Sequence, residues 1–156
     1  MRTAVFAGTF DPFTIGHAHI VKRGLEIFDR IAIMIGVNAQ KPDAAAKAAE
    51  RIEHISALFA SEQRVTVHLW SGLTADFAKS IGAKFHLRGI RSVKDYEYEL
   101  GMADANATLG LETVTLFTAP SLSYVSSSLV RELASFGKDV SEYLPTKEYI
   151  DKLLKL

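Results

Sequence analysis

Three short stretches of this chain concentrate side chains that handle anions, and the first is Gly8-Thr-Phe-Asp-Pro-Phe-Thr-Ile-Gly-His17. Gly8 lets a ligand approach the backbone closely, and Gly16 does the same just before a helix whose first N–H groups lack partners and favour an anion. Thr9 adds a hydroxyl after a strand, and His17 sits where an imidazole can donate a hydrogen bond to a phosphate as charge builds on it. Arg88 and Arg91 lie three residues apart at the end of an apolar segment, so both planar guanidinium forks can project from one strand end. Ser126-Ser-Ser128 opens a further helix, where hydroxyls cap free N–H groups and also offer donors to a phosphate chain. Lys41, after another apolar segment, is a mobile point charge suited to an incoming phosphate. The implied chemistry is phosphate handling of an uncommon kind, because Gly-x-Gly-x-x-Gly and Gly-Lys-Ser/Thr are both absent.

The elements that must position these residues follow from hydrophobic pattern. Residues 3–7 and 31–37 are short, apolar and non-alternating, which predicts strands buried on both faces, and residues 16–28 between them carry apolar side chains at helical spacing. The unit recurs, with helices predicted over 44–59, 73–80, 93–109, 127–136 and 146–154 and strands over 64–69, 84–87 and 113–117. Gly137 can close the fifth helix with a left-handed cap. Strand and helix alternating with short connections predict an α/β fold, a doubly wound five-stranded parallel sheet with helices on both faces. Such sheets bind ligands beyond the carboxyl ends of their strands, where the winding direction reverses. All three anion-handling stretches follow predicted strands.

Composition narrows the function further. At 156 residues, 48% hydrophobic and 23% charged, the chain is expected to fold as a single domain over residues 1–156. Zero cysteines exclude a disulfide framework, a thiolate zinc site and a thiol nucleophile. Eighteen basic and eighteen acidic residues cancel, which disfavours nucleic acid as a partner and leaves room for a small local phosphate site. No apolar run approaches a membrane span, and Asp11 and Pro12 interrupt the N-terminal apolar stretch where a signal peptide would continue, so a cytoplasmic location is expected. His17 and His19 are two apart and do not share a helix face, so no protein metal cluster is expected.

Thr14-Ile-Gly-His17 resembles the Thr/His-x-Gly-His motif of the nucleotidylyltransferase superfamily, which activates a nucleoside triphosphate at its α-phosphate. Gly-Thr-Phe-Asp-Pro ahead of it, Arg88-Gly-Ile-Arg-Ser-Val-Lys-Asp-Tyr-Glu-Tyr-Glu99, and Val125-Ser-Ser-Ser-Leu-Val-Arg131 are together similar to the bacterial phosphopantetheine adenylyltransferase family over nearly the whole chain. The resemblance implies a Rossmann-like nucleotidylyltransferase fold. It also implies AMP transfer from ATP to 4′-phosphopantetheine, with dephospho-coenzyme A and pyrophosphate as products and Mg2+ held mainly through the ATP phosphates. By the same resemblance the protein is a homohexamer, with coenzyme A as a feedback inhibitor.

The resemblance also distributes roles. It makes Thr9, His17, Lys41, Arg88 and Arg91 catalytic: Thr9 bridges the two substrates, His17 donates to the α-phosphate, Lys41 orients the acceptor's phosphate, Arg88 serves phosphopantetheine and Arg91 the ATP phosphates. Phe10, Gly89, Tyr98, Glu99, Tyr124, Val125, Ser126, Ser127 and Ser128 join the ATP site, while Leu73, Thr74 and Glu132 lie along the pantetheine arm. The stretch from Lys41 to Arg51 is slightly longer than the family's and lacks the aromatic before the Glu-Arg pair, and Ala7 stands where proline is frequent. Two alternatives stay open: the same chemistry on another acceptor, such as nicotinamide mononucleotide or glycerol phosphate, and a nucleotide-sensing module without turnover.

Overall fold

The computed structural model describes residues 1–38, 40 and 42–155. Five strands, β1 (Thr3–Gly8), β2 (Arg30–Gly36), β3 (Val65–Trp70), β4 (Phe85–Ile90) and β5 (Glu112–Phe117), alternate with six helices. These are α1 (Ile15–Gly24), α2 (Ala44–Leu58), α3 (Thr74–Ser80), α4 (Val93–Thr108), α5 (Ser127–Ser135) and α6 (Lys147–Leu154). The strands form one parallel sheet in the order β3-β2-β1-β4-β5. This is the doubly wound arrangement, with the winding direction reversing beside β1.

The non-alternating strands divide their side chains by size. Phe6, Ile31, Ile33 and Ile35 face a large core with residues of α1, α2 and α6, whereas Val5, Ala7, Ala32 and Met34 face a smaller one with Ala75, Phe77 and Ala78 of α3. Successive strand residues point to opposite faces, so a run apolar throughout serves two cores at once. The central strands are sealed: Ala4, Val5, Ile31, Ile33 and Ile35 have no accessible surface.

Two boundaries depart from the pattern-based expectation by more than one residue. The first helix stops at Gly24 instead of continuing to residue 28, and the N–H groups of Ile27 and Phe28 both close turns on the Gly24 carbonyl. A Cβ at Gly24 would lie 2.6 Å from Leu87 and 2.7 Å from Ile31, so glycine there lets the helix end settle on the sheet. The fourth strand runs three residues past the expected end at Leu87, because Arg88, Gly89 and Ile90 keep pairing with Thr115, Leu116 and Phe117. Thr146 is the N-cap of α6, its hydroxyl accepting from the Tyr149 N–H at 3.1 Å, and Gly137 has a φ of 72° just beyond α5. Two single 3-10 turns, Pro120–Leu122 and Ser141–Tyr143, have no counterpart in the hydrophobic pattern. Among the described residues no helix is long and apolar enough to cross a membrane.

His86, on β4, faces α4 and is 6% exposed. Its Nδ1 accepts from the Asn106 amide at 3.4 Å, and among the described residues its Nε2 has no partner. Burial, reinforced by Arg88, lowers its pKa from 6.5 to about 4. The unfolded chain therefore binds the additional proton across that window, and stability is fully present above pH 6.5 and lost as pH falls towards 4. The expected loss is up to about 3 kcal/mol for this group, read as a falling urea midpoint between pH 6.5 and 4. His86→Leu should shrink that fall; an unchanged pH dependence would show that His86 does not drive it.

Candidate active site

The carboxyl ends of β1 and β4, the start of α1 and the start of α5 enclose a cavity of about 380 Å³. It brings together Thr9, Phe10, His17, Arg88, Gly89, Arg91, Tyr98, Glu99, Val125, Ser126, Ser127 and Ser128. Other residues named from the sequence stand outside it. Leu73 is 59% exposed beyond β3, where its carbonyl accepts from the Trp70 indole at 3.1 Å, and Thr74 opens α3 beside it. Leu73 is therefore no part of the core. Glu132 is exposed on α5, Tyr124 is exposed with its ring edge-on to Tyr143, and Lys41 lies outside the described residues.

His17 is built into a helix cap. Thr14, the N-cap of α1, accepts from the His17 N–H at 3.4 Å, and the Thr14 N–H donates back to His17 Nδ1 at 3.0 Å. This reciprocal pair is a capping box with histidine in the place usually held by glutamate or glutamine. The ring packs against Phe10 edge-on at 5.1 Å and near Phe13 at 5.3 Å. Burial first, then Arg91 and Arg88, lowers its pKa from 6.5 to about 4. The imidazole is therefore neutral at pH 7, and with Nδ1 accepting, the proton resides on Nε2 as a donor. The histidine that completes the cap also lines the cavity.

The loop between β1 and α1 is tied from both sides. Arg51 on α2 donates to the Thr9 carbonyl at 2.9 Å and pairs with Asp11 at 3.5 Å. From α5, Arg131 donates to the Asp11 carbonyl at 2.5 Å and Ser127 to the Pro12 carbonyl at 2.8 Å. Phe10 takes a left-handed φ of 48°, and its ring covers Gly8, where a Cβ would lie 3.1 Å away. Ser126 caps α5 by accepting from the Leu129 N–H at 3.0 Å. Ser127 and Ser128 line the cavity, and first-turn N–H groups of a helix, which lack intrahelical partners, suit an anion.

Both arginines enter already paired with α4. Arg88 donates to Glu99 through Nε at 2.9 Å and Nη2 at 2.6 Å, and to the Ala7 carbonyl through Nη1 at 2.6 Å. Arg91 sits 3.4 Å from Asp95 and donates to the Val125 carbonyl at 3.3 Å. Sequence reasoning missed Arg51 and Asp95. The signal for Asp95 was its position four residues after Arg91 and one helical turn before Glu99, whereas Arg51 reaches its targets across 42 residues and left no local signal.

A neutral imidazole donor, two arginines and an open helix N-terminus around one cavity define a nucleotidyltransferase, and the cytidylyltransferase-like family profile matches residues 5–133. The fold agrees: a bifunctional NMN adenylyltransferase/ADP ribose pyrophosphatase from Francisella tularensis superposes with a TM-score of 0.67 at 14% identity, over 99% of this chain and 50% of that longer one. The phosphopantetheine adenylyltransferase of Phocaeicola vulgatus is 50% identical over 152 residues, 97% of this chain and the whole of its own. That of Porphyromonas gingivalis is 50% identical over 149 residues, covering 95% and 97%. The chain belongs to the phosphopantetheine adenylyltransferase family.

Because Arg51 holds the loop carrying Thr9 and Phe10, Arg51→Ala should lower kcat/KM for both substrates together, by roughly ten- to a hundredfold. Steady-state kinetics with each substrate varied in turn checks this. A loss confined to one substrate would instead place Arg51 in contact with it.

Proposed function

We propose that this protein transfers the adenylyl group of ATP to 4′-phosphopantetheine, releasing pyrophosphate and forming dephospho-coenzyme A in coenzyme A biosynthesis. The observation that carries the reading is a neutral His17, with its Nε2 proton available, sharing one cavity with Arg88, Arg91 and the open start of α5. The choice of acceptor is supported by end-to-end similarity to relatives bearing that name.

The acceptor's phosphate oxygen attacks the α-phosphorus in line, a new P–O bond forms, and the bond to pyrophosphate breaks. No covalent bond to the protein is required, so catalysis amounts to positioning two anions and stabilising the charge that builds between them. His17 Nε2–H would donate to an α-phosphate oxygen and Thr9 would bridge the two substrates. Arg91 and the Ser127 and Ser128 N–H groups would receive the triphosphate, and Lys41 and Arg88 the acceptor's phosphate. The two carboxylates of the cavity, Asp95 and Glu99, are occupied by arginines, and among the described residues no three histidine or acidic groups converge as a metal cage. This donor set fits magnesium carried by the triphosphate and water, where the ion would neutralise charge. A cytoplasmic homohexamer inhibited by coenzyme A completes the proposal, and the apolar Val93, Leu100 and Met102 exposed on α4 are suited to subunit contact.

Purified protein with Mg-ATP should release pyrophosphate with 4′-phosphopantetheine, and not with nicotinamide mononucleotide, glycerol phosphate or no acceptor, with dephospho-coenzyme A confirmed by mass. Release with a different acceptor would reassign the substrate, and ATP binding without release would leave a nucleotide-sensing module. His17→Ala should lower kcat roughly a hundredfold or more while ATP affinity stays within several-fold, because its hydrogen bond strengthens in the transition state. With a pKa of about 4 in the folded protein, His17 stays neutral from pH 6 to 8. Its titration should therefore leave no inflection in the kcat profile over that range.

A further inference from the structure

We infer that Trp70 is a positioning residue for the acceptor side of the reaction: through the Leu73 carbonyl it holds the turn between β3 and α3 as an apolar wall for the acceptor's arm. The inference rests on the assignment of Arg88 to the acceptor's phosphate made above. Successive residues of a strand face opposite sides of the sheet. On the face covered by α3 and α4, the strand ends carry Arg88 on β4, Ala7 on β1, Gly36 on β2 and Trp70 on β3, with Gly36 and Trp70 register partners. Alanine and glycine leave the row between arginine and indole almost bare. Among the described residues, a Cβ at Gly36 would meet only the Gly8 carbonyl, at 4.0 Å. Three strand spacings separate the two ends of the row, roughly 14 Å in all.

In-line transfer makes this row the acceptor's path. The triphosphate is assigned to Arg91 and the start of α5, and the attacking phosphate must approach the α-phosphorus from the side opposite the pyrophosphate. With that phosphate at Arg88, the rest of the acceptor extends away from α5, over Ala7 and Gly36 towards Trp70. At that end the chain makes a turn that the indole holds closed. Its N–H donates to the Leu73 carbonyl at 3.1 Å, and the same carbonyl takes the N–H groups of Asp76 and Phe77 at 3.2 Å, so the end of β3 is tied to the first turn of α3. The Trp70 ring packs on the buried Phe77, with centroids 5.5 Å apart. Gly72 has a φ of 136°, and a Cβ there would stand 3.3 Å from the indole nitrogen, so the turn closes tightly on the ring. Leu73, 59% exposed, is thereby held at the end of the bare row. A leucine fixed there before the ligand arrives offers apolar contact to the methyl and methylene groups of the acceptor's arm, at a lower ordering cost on binding.

Trp70 is the single tryptophan of the chain, so its own emission is a readout. Saturating 4′-phosphopantetheine should shift or quench that emission in the wild-type protein, and Mg-ATP alone should leave it unchanged. Trp70→Phe keeps a ring to pack on Phe77 and loses the N–H. It should raise the KM for 4′-phosphopantetheine about fivefold, the worth of one hydrogen bond, with kcat and the KM for ATP within twofold. Leu73→Ala should act on the same constant, and adding Trp70→Phe to it should cost little more. An unaltered acceptor KM in Trp70→Phe, losses shared equally by both substrates, or effects that multiply independently would overturn the inference. An emission indifferent to the acceptor, or one that follows ATP, would do the same without any variant. A wild-type protein inactive with 4′-phosphopantetheine would overturn the acceptor assignment and this inference with it. Normal wild-type turnover with any of the other adverse results would overturn this inference alone.

Discussion

The geometry of the site depends on the reversal of winding beside β1. Chain leaving β1 passes to α1 and then β2 on one side, while β4 pairs on the other side and sends its chain to α4 on the opposite face. The carboxyl ends of the two strands consequently have no connection running across them, and a gap opens there that no side chain of the core fills. Close packing of large residues against α1, α2 and α6, and of small ones against α3, holds the edges of that gap rigid. Thr9, His17 and Arg88 come from three different elements, yet their separation is set by one strand register, because Val5 stands opposite His86 and both strands run parallel from there.

Within the gap, charge is balanced before any ligand enters. Two arginines face two carboxylates, and the histidine is neutral because its neighbours are aromatic rings and cations. An unbalanced cluster of guanidinium groups would cost stability in the empty protein, and a fully buried balanced one would compete too well with a phosphate. The arrangement lies between these limits. Each arginine keeps part of its donor set, and the N–H groups at the start of α5 add positive potential without a side-chain charge.

Much of this was legible in the sequence, and for local reasons. Strand and helix succession, the placement of three anion-handling stretches after strands, and the cap-forming hydroxyls of the Ser126–Ser128 run all depend on spacing of a few residues. What was not legible depends on distance along the chain: Arg51 reaches Thr9 across 42 residues, Ser127 reaches Pro12 across 115 and Arg131 reaches Asp11 across 120. The strand expected over 84–87 runs on to Ile90 because the pairing with β5 that carries it there is non-local. Leucine is usually buried, so the exposure of Leu73 beyond β3 could not be foreseen from hydropathy.

The helix α4 shows why pattern alone misjudges such a site. Its buried residues are Glu99 and Asn106, while Val93, Tyr96, Leu100 and Met102 are exposed, the reverse of an amphipathic helix resting on a sheet. Apolar burial therefore contributes little to its docking, which falls instead to the Arg88–Glu99 pair and the contact between Asn106 and His86. Polar contacts are directional where apolar ones are not, so they fix the rotation of the helix about its axis as well as its distance from the sheet. A helix docked in this way gives up some stability in return for a defined orientation. That exchange is useful here because the same rotation presents Asp95 and Glu99, one turn apart, to the two arginines at the end of β4.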